Sequence, residues 1–191
     1  EINTIDILIK KVLKTKIEKQ IILIDDCSTD GTREKILSNY KEQVDKIILH
    51  EKNLGKGAAI ISAQKYVAGN YVIIQDADLE YDPDQYELMV EEALKNNSQA
   101  VYGSRVLQKN KFSNTQNFSH KIRIWGNMFL TFISNKINKQ NLTDAHTCYK
   151  MFESNLFKSI NLKQNDFAFC PEITTKVSLL GINIKEVPIN Y

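Results

Sequence analysis

Several absences bound the reading of this 191-residue chain. It has no run of about 18 or more uncharged apolar residues and no signal-peptide pattern, so the chain as given is not expected to span a membrane. Its three cysteines, Cys27, Cys148 and Cys170, are odd in number, far apart and without CxxC spacing. That excludes a disulfide framework or a zinc knuckle and makes a reducing, cytoplasmic setting the expectation. The histidines His50, His120 and His146 lack ligand spacing and read as structural or surface residues. Charge of one sign is missing too: 25 Lys and Arg against 23 Asp and Glu leave a net charge of +2, too small to argue for nucleic acid. Any basic function must be local. Glycine is sparse, and the one Gly-Lys-Gly turn, Gly55-Lys56-Gly57, lacks the spacing of a Walker or Rossmann fingerprint.

What is present fits one globular domain over residues 1–191, with 42% hydrophobic residues and 25% charged. The chain opens at Glu1 without a methionine and reads as a fragment. Ile5, Leu8, Ile9, Val12 and Leu13 fall on one helical face. Residues 21–26 (IILIDD) form a short continuous apolar run, expected for a strand buried on both faces of a parallel sheet. A helix follows at 32–42, a strand at 46–51, a helix at 58–67, a strand at 71–78 and a helix at 83–95, where Pro83 suits a first helical position. A further strand covers 100–105. Residues 108–119 are polar and loop-like, 121–137 are helical and unusually apolar, and the end holds a helix at 172–180 and a strand at 182–188. This alternation predicts an α/β fold, a doubly wound, mostly parallel central sheet flanked by helices.

In an open α/β sheet ligands bind beyond the carboxyl ends of the strands, so acidic residues just after a buried apolar run carry most weight. Two places qualify. The first delivers Asp25 and Asp26; the second delivers Gln75, Asp76 and Asp78. An Asp-x-Asp pair offers two hard oxygen ligands to Mg²⁺ or Mn²⁺ and leaves the other positions to water and phosphate oxygens. Asp82-Pro-Asp84 reads instead as helix-capping chemistry. Asp25 and Asp26 can also be read as caps of the turn holding Ser28 and Asp30. Lys56, between two glycines at a strand-to-helix turn, can meet phosphate or be a solvated turn lysine.

In order along the chain, DDCSTDGT (25–32), NLGKGAA (53–59), QDADLEYDP (75–83), YGSR (102–105), LTDAHTCYKMF (142–152) and PEITTKVSLLGINIKEVPINY (171–191) closely resemble family-2 glycosyltransferases of the dolichol-phosphate-mannose and dolichol-phosphate-glucose synthase-like group. The resemblance implies a GT-A fold, a nucleotide-diphosphate sugar donor, a divalent metal and inversion at the anomeric carbon. By that resemblance Asp25 or Asp26 contacts the nucleoside, and Asp76, Ala77 and Asp78 line the diphosphate. Asp78 holds the metal, with Asp76 and with Glu80, which stands where these enzymes often carry Gln. Arg105 faces phosphate and serves charge stabilisation more than packing. Such proteins usually open with a strand ending in a base-holding motif, to whose last residue only Glu1 could correspond. They also continue past the final strand with basic residues that reach the donor, whereas this chain stops at Tyr191.

Asp144 matches the segment near the acceptor and is the candidate base or acceptor positioner, with helix capping as the alternative. A hydroxyl acceptor needs a base; a lipid phosphate is already anionic. Glu172 reads as a first-turn helix acid. The helix over 121–139, with Trp125, Met128, Phe129 and Phe132 and basic residues Lys121, Arg123, Lys136 and Lys139 at its ends, suits a membrane interface or a polyprenyl phosphate acceptor, or packing on a partner. A saccharide-hydroxyl acceptor on the same fold and a non-catalytic nucleotide-binding relic stay open as other readings. A nucleotidyltransferase is disfavoured, because its N-terminal Gly-rich phosphate loop is absent. The sequence sets no oligomeric state.

Overall fold

The computed structural model describes residues 1–107 and 118–190, the stretch 118–124 by its backbone alone. The polar stretch at 108–117, Tyr191 and the side chains of His120, Lys121, Ile122, Arg123 and Ile124 lie outside the described residues.

The elements run α1 (Ile5–Lys14), β1 (Ile22–Asp25), α2 (Thr32–Asn39), β2 (Lys46–Leu49), α3 (Lys56–Gln64), β3 (Tyr71–Ile73), α4 (Tyr86–Asn96), β4 (Ala100–Ser104), α5 (Phe118–Asn138), β5 (Lys150–Glu153), α6 (Ser154–Ser159), α7 (Phe169–Leu179) and β6 (Lys185–Pro188). A 3₁₀ turn at Pro83–Gln85 leads into α4, and the Asp82 side chain caps it by accepting from the Asp84 amide. The capping role expected of that pair is therefore present.

β1 and β2 pair in parallel, and the other four strands form a sheet in the order β3-β5-β4-β6. Within it β5 runs against both neighbours, whereas β4 and β6 are parallel. The α/β architecture with helices on the sheet faces matches the expectation. β5 and α6 were not anticipated. Only Met151 and Phe152 are apolar in β5, and its first residue is a lysine, so the strand is too short and too interrupted to register as a buried run. Lys150 is nevertheless fully buried: its ammonium donates to the Ala145 carbonyl at 3.0 Å and lies 3.5 Å from the centre of the Tyr102 ring. Burial lowers its pKa to about 8.

Strand alternation distributes side chains between two cores. Ala100, Tyr102 and Phe152 point to the side closed by α6 and α7 through Leu156, Phe157, Ile173 and Val177. Val101, Met151 and Val187 point to the other side, closed by Tyr86, Met89 and Ala93 of α4. A third cluster joins Ile5 and Ile9 of α1 to Ile36 and Tyr40, with Leu23 and Ile47 beneath. β1 is less enclosed than its composition suggested, since Ile22, Leu23 and Ile24 are half-buried and only Asp25 is buried. β3 ends at Ile73, so Asp76 and Asp78 stand in the loop beyond it.

The Gly-Lys-Gly turn starts α3, and the backbone it approaches is the protein's own. Ala58 donates to the Asn165 carbonyl at 3.0 Å, and Cβ atoms built on Gly55 or Gly57 would collide with the backbone at Asn165 or Gln164. Gly55 also has φ +93°. Gly57→Ala should therefore cost about 1–3 kcal/mol, because a main-chain carbonyl cannot step aside as a flexible side chain can. A lower urea midpoint at unchanged slope is the expected readout; wild-type stability would show that segment 164–166 yields.

Candidate functional site

The carboxyl ends of β1, β3 and β4 and the turn before β5 bring most of the sequence-predicted residues to one side of the sheet. At the end of β1 both aspartates are engaged by the protein. Asp25 is buried and accepts from Arg33 Nε at 2.6 Å, while Arg33 Nη2 donates to the His50 carbonyl at 2.6 Å. Asp26 accepts from the Leu54 and Gly55 amides at 2.8 and 2.7 Å and faces His50 Nδ1 at 2.7 Å. His50 Nε2 meets Ser62 Oγ at 2.9 Å, so this buried histidine is structural, as its isolation in sequence implied. Burial pushes the Asp26 carboxyl up, but those donors hold it below its ordinary value. The two residues expected at the nucleoside thus first fix the loop after β1 and the turn into α3. Glu1 is exposed and accepts from Thr4 Oγ1 at 3.0 Å.

The loop after β3 is closed on itself by a residue that carried no role in the sequence reading. The Gln75 amide nitrogen donates to the carbonyls of Asp76 and Tyr81 at 3.0 and 3.1 Å, and its oxygen accepts from Tyr86 Oη at 3.0 Å. Inside this buckle Ala77 packs against the α1–α2 core. Leu79 has φ +67°, a left-handed conformation costly for a branched side chain, and it separates exposed Asp78 from exposed Glu80. Asp78 Oδ1 accepts the Glu80 amide at 3.0 Å.

Asp76 points the other way, into an ion pair with Lys56 at 2.5 Å. Burial raises the Asp76 carboxyl, and neighbouring Asp78 adds to this against the opposing pull of Lys56. For Lys56 burial works downward, yet Asp76 carries its pKa above the ordinary value. The lysine expected at phosphate is therefore held by Asp76 at the Asp-x-Asp loop.

Among the described residues no three or more His, Cys, Asp and Glu side chains gather closely enough to cage a cation. A Mg²⁺ or Mn²⁺ ion needs no cage when substrate phosphates and water complete its shell. Asp78 and Glu80 offer exposed hard oxygens on one short loop, a pair that fits an ion arriving with a diphosphate, and Asp76 would join them on leaving Lys56.

Arg105, just past β4, and Asp144 form the most enclosed ion pair here. Nε and Nη2 of Arg105 donate to the two carboxylate oxygens at 2.6 and 2.8 Å, and the Arg105 amide adds a bond at 3.2 Å. Asn127 of α5 donates to Asp144 Oδ1 at 3.1 Å. The Asp144 side chain is 0% exposed and that of Arg105 is 24% exposed. Burial raises the Asp144 carboxyl, but Arg105 and Asn127 outweigh it and hold it below 3.8. Two expectations need redrawing. Asp144 caps no helix, since it sits in the turn before β5. Arg105 has a packing role that the sequence reading set lower, because it neutralises a buried carboxylate.

Glu186 of β6 fastens the same turn, accepting from the amides of Thr143 and Asp144 at 2.7 and 2.9 Å. Tyr81 stacks on Tyr149 at 5.1 Å between centroids and accepts from the Cys148 amide at 3.2 Å, so the turn and the Asp-x-Asp loop are tied together. Glu186 gave no signal in sequence. Asn127 gave one, as an amide inside an apolar helical stretch. Glu172 lies in the first turn of α7, where it accepts from the Lys163 and Gln164 amides and pairs with Lys176, as a helix acid should. α5 stays fastened to the same turn through Thr131 and Asn135, and its other apolar residues are uncovered: Trp125 is 76% and Ile137 70% exposed, and Met128, Phe129 and Phe132 are exposed with them.

The comparisons with known proteins bear on the family and the fold. The chain is 31% identical over 192 residues to a dolichyl-phosphate beta-glucosyltransferase of Trichomonas vaginalis, covering 94% of the chain and 58% of that protein. It is 33% identical over 95 residues to a dolichol-phosphate mannosyltransferase of Pyrococcus furiosus, covering 50% of the chain and 27% of that protein. The chain therefore spans at most a little over half the length of these curated relatives. Among solved structures, glucosyl-3-phosphoglycerate synthase from Mycobacterium tuberculosis, in complex with Mn²⁺, UDP and phosphoglyceric acid, superimposes with a TM-score of 0.72 at 16% identity, covering 100% of this chain and 65% of that one. A Pyrobaculum calidifontis mannosyltransferase in complex with GDP-Man and Mn²⁺ gives 0.67 at 17% identity, covering 98% and 52%. These neighbours establish a shared GT-A fold. The model of the family described as glycosyl transferase family 2 matches residues 1–160, and this chain belongs to that family.

Proposed function

We propose that this protein is a hexosyltransferase that moves a sugar, with inversion, from a nucleotide-diphosphate donor to a polyprenyl phosphate at a membrane surface. The donor diphosphate lies along the loop of Asp76, Ala77 and Asp78, with Lys56 and Arg105 beside it and Asp25 and Asp26 framing the nucleoside end. Mg²⁺ or Mn²⁺, held by Asp78 with Asp76 and Glu80, supplies charge neutralisation on the leaving diphosphate. Lys56 and Arg105 add fixed positive charge on the same side. The 31%-identical dolichyl-phosphate glucosyltransferase and the Mn²⁺ in the fold neighbours support the reading.

One observation favours a phosphate acceptor over a hydroxyl. Both Asp144 oxygens are taken up by Arg105 and Asn127, and its carboxyl is held below the ordinary value, so it is a poor proton acceptor. An acceptor that is already anionic needs none. The uncovered apolar residues of α5 begin beside Asn127 and suit a surface that rests in the lipid interface, on the cytoplasmic side. Among the described residues no helix is long and apolar enough to cross a membrane.

The test is transfer of radiolabelled sugar to polyprenyl phosphate in vesicles against free saccharides. Label in the lipid fraction alone supports the reading; label in the saccharides alone rejects it. In the same assay Asp144→Asn should lower turnover within about tenfold and add no acid limb to the pH profile, because the amide oxygen still accepts one guanidinium N–H. Loss of about 10²- to 10⁴-fold with an acid limb at unchanged donor affinity would mark Asp144 as a general base and the acceptor as a hydroxyl.

A further inference from the structure

Two cysteines that sequence spacing kept apart meet beside the Asp-x-Asp loop. Cys148 closes the turn that carries Asp144, and Cys170 is the second residue of α7. Their sulfurs lie 4.0 Å apart, Cys170 buried and Cys148 half-buried. The Cys148 amide donates to Tyr81 Oη at 3.2 Å, which ties the thiol pair to the Asp-x-Asp loop, and the Lys56–Asp76 ion pair lies near enough for its charges to act on the thiol. Cys27, the third cysteine, is elsewhere, donating to the Glu51 carbonyl at 3.5 Å.

We propose that Cys148 and Cys170 are a thiol modification site, closed to a disulfide by hydroperoxides and reopened by dithiols, whose oxidation shifts the turn that is hydrogen-bonded to the Asp-x-Asp loop. Half-buried Cys148 is the sulfur a small oxidant reaches. Its thiolate attacks one oxygen of hydrogen peroxide, the O–O bond breaks, and the departing hydroxide takes up a proton as water. The Cys148 sulfenic acid is then attacked by the Cys170 sulfur, whose proton leaves with the sulfenic hydroxyl as a second water. Two thiols and one peroxide give one disulfide and two waters. Reduction by a dithiol returns both protons and both electrons.

Geometry gives the step its consequence. Disulfide formation draws the sulfurs together by about 2 Å from their thiol separation. Cys170 sits on a helix packed into the main core, whereas Cys148 sits in a turn, so Cys148 makes most of the movement. Its amide donates to Tyr81 Oη, and Tyr81 closes the Gln75 buckle. Movement of Cys148 toward α7 therefore pulls on the whole loop that carries Asp76 and Asp78.

The experiment is a hydrogen peroxide titration of the wild-type protein, followed by peptide mass mapping and hydrogen exchange. The expected product is a Cys148–Cys170 linked peptide, lighter by two hydrogen atoms than its parts, with Cys27 left alkylatable. Exchange at residues 75–82 should then rise several-fold and return on adding dithiothreitol. Cys170→Ala, a small apolar replacement, should fold, form no link and stop at a Cys148 sulfenic acid trapped by dimedone. A link through Cys27, no internal link, or a link with unchanged exchange at 75–82 each overturns the proposal. None of these readouts requires donor turnover, so they stand apart from the glycosyltransferase assay.

Discussion

Replacing Arg105 by alanine should destabilise the protein by about 3 kcal/mol or more, in addition to removing activity. Asp144 has 0% side-chain exposure and receives its main compensation from the guanidinium; taking that away leaves a buried charge with only the Asn127 amide and the backbone N–H of residue 105 among its described partners. Urea denaturation should show the loss, and removing both charges in Arg105→Ala with Asp144→Ala should restore part of it, because no bare carboxylate is then left inside. The pH dependence follows from the depressed Asp144 pKa. The contribution of the pair is complete above the ordinary carboxyl value of 3.8 and fades as pH falls through the lower folded value. Turnover should drop by about 10²- to 10³-fold in any fraction that stays folded, and it should stay low in the double variant. An Arg105→Ala protein as stable as the wild type would show that the bidentate bond contributes no net stability.

Asp78→Ala should abolish the metal dependence of donor binding while leaving the fold intact. The side chain is exposed and its one described hydrogen bond accepts the amide two residues on, so little packing is lost. Without this oxygen, diphosphate and cation lose the carboxylate that joins them to the protein, and affinity in Mn²⁺ should fall by on the order of 10²-fold, toward the value of wild type in chelator. Calorimetry with nucleoside diphosphate, with and without chelator, reads the difference. Equal binding by variant and wild type in Mn²⁺ would remove Asp78 from the metal site.

The helices of the first hundred residues and the strands that alternate with them were legible because each carries its own periodicity. α1 announces its buried face at Ile5, Leu8 and Ile9, and β4 its continuous apolar run. The Asp-x-Asp loop was legible for a related reason: carboxylates directly after a short apolar run fall at a strand end, where open sheets bind ligands. β5 was not. Its signal is two apolar residues beside a lysine, and the distant Tyr102 ring and the Ala145 carbonyl help make Lys150 tolerable in the interior. The Gly-Lys-Gly turn was legible only as a turn: the backbone that its glycines let approach is segment 164–166, over a hundred residues away in the chain.

Residue types and their order therefore determined the fold class and the family, and singled out the loop proposed for the diphosphate and the cation. Those properties follow from hydrophobic period, strand-end position and motif spacing, all of which are local. What each charged side chain does within the site was decided by tertiary structure. Whether Arg105 faces a ligand or a buried carboxylate, whether Asp26 faces a nucleoside or the amides of Leu54 and Gly55, and whether Cys148 has a second sulfur beside it depend on distant segments. A carboxylate or a thiol has the same intrinsic chemistry anywhere in the chain, and burial and the nearest opposite charge set its state, which are facts of three-dimensional neighbourhood.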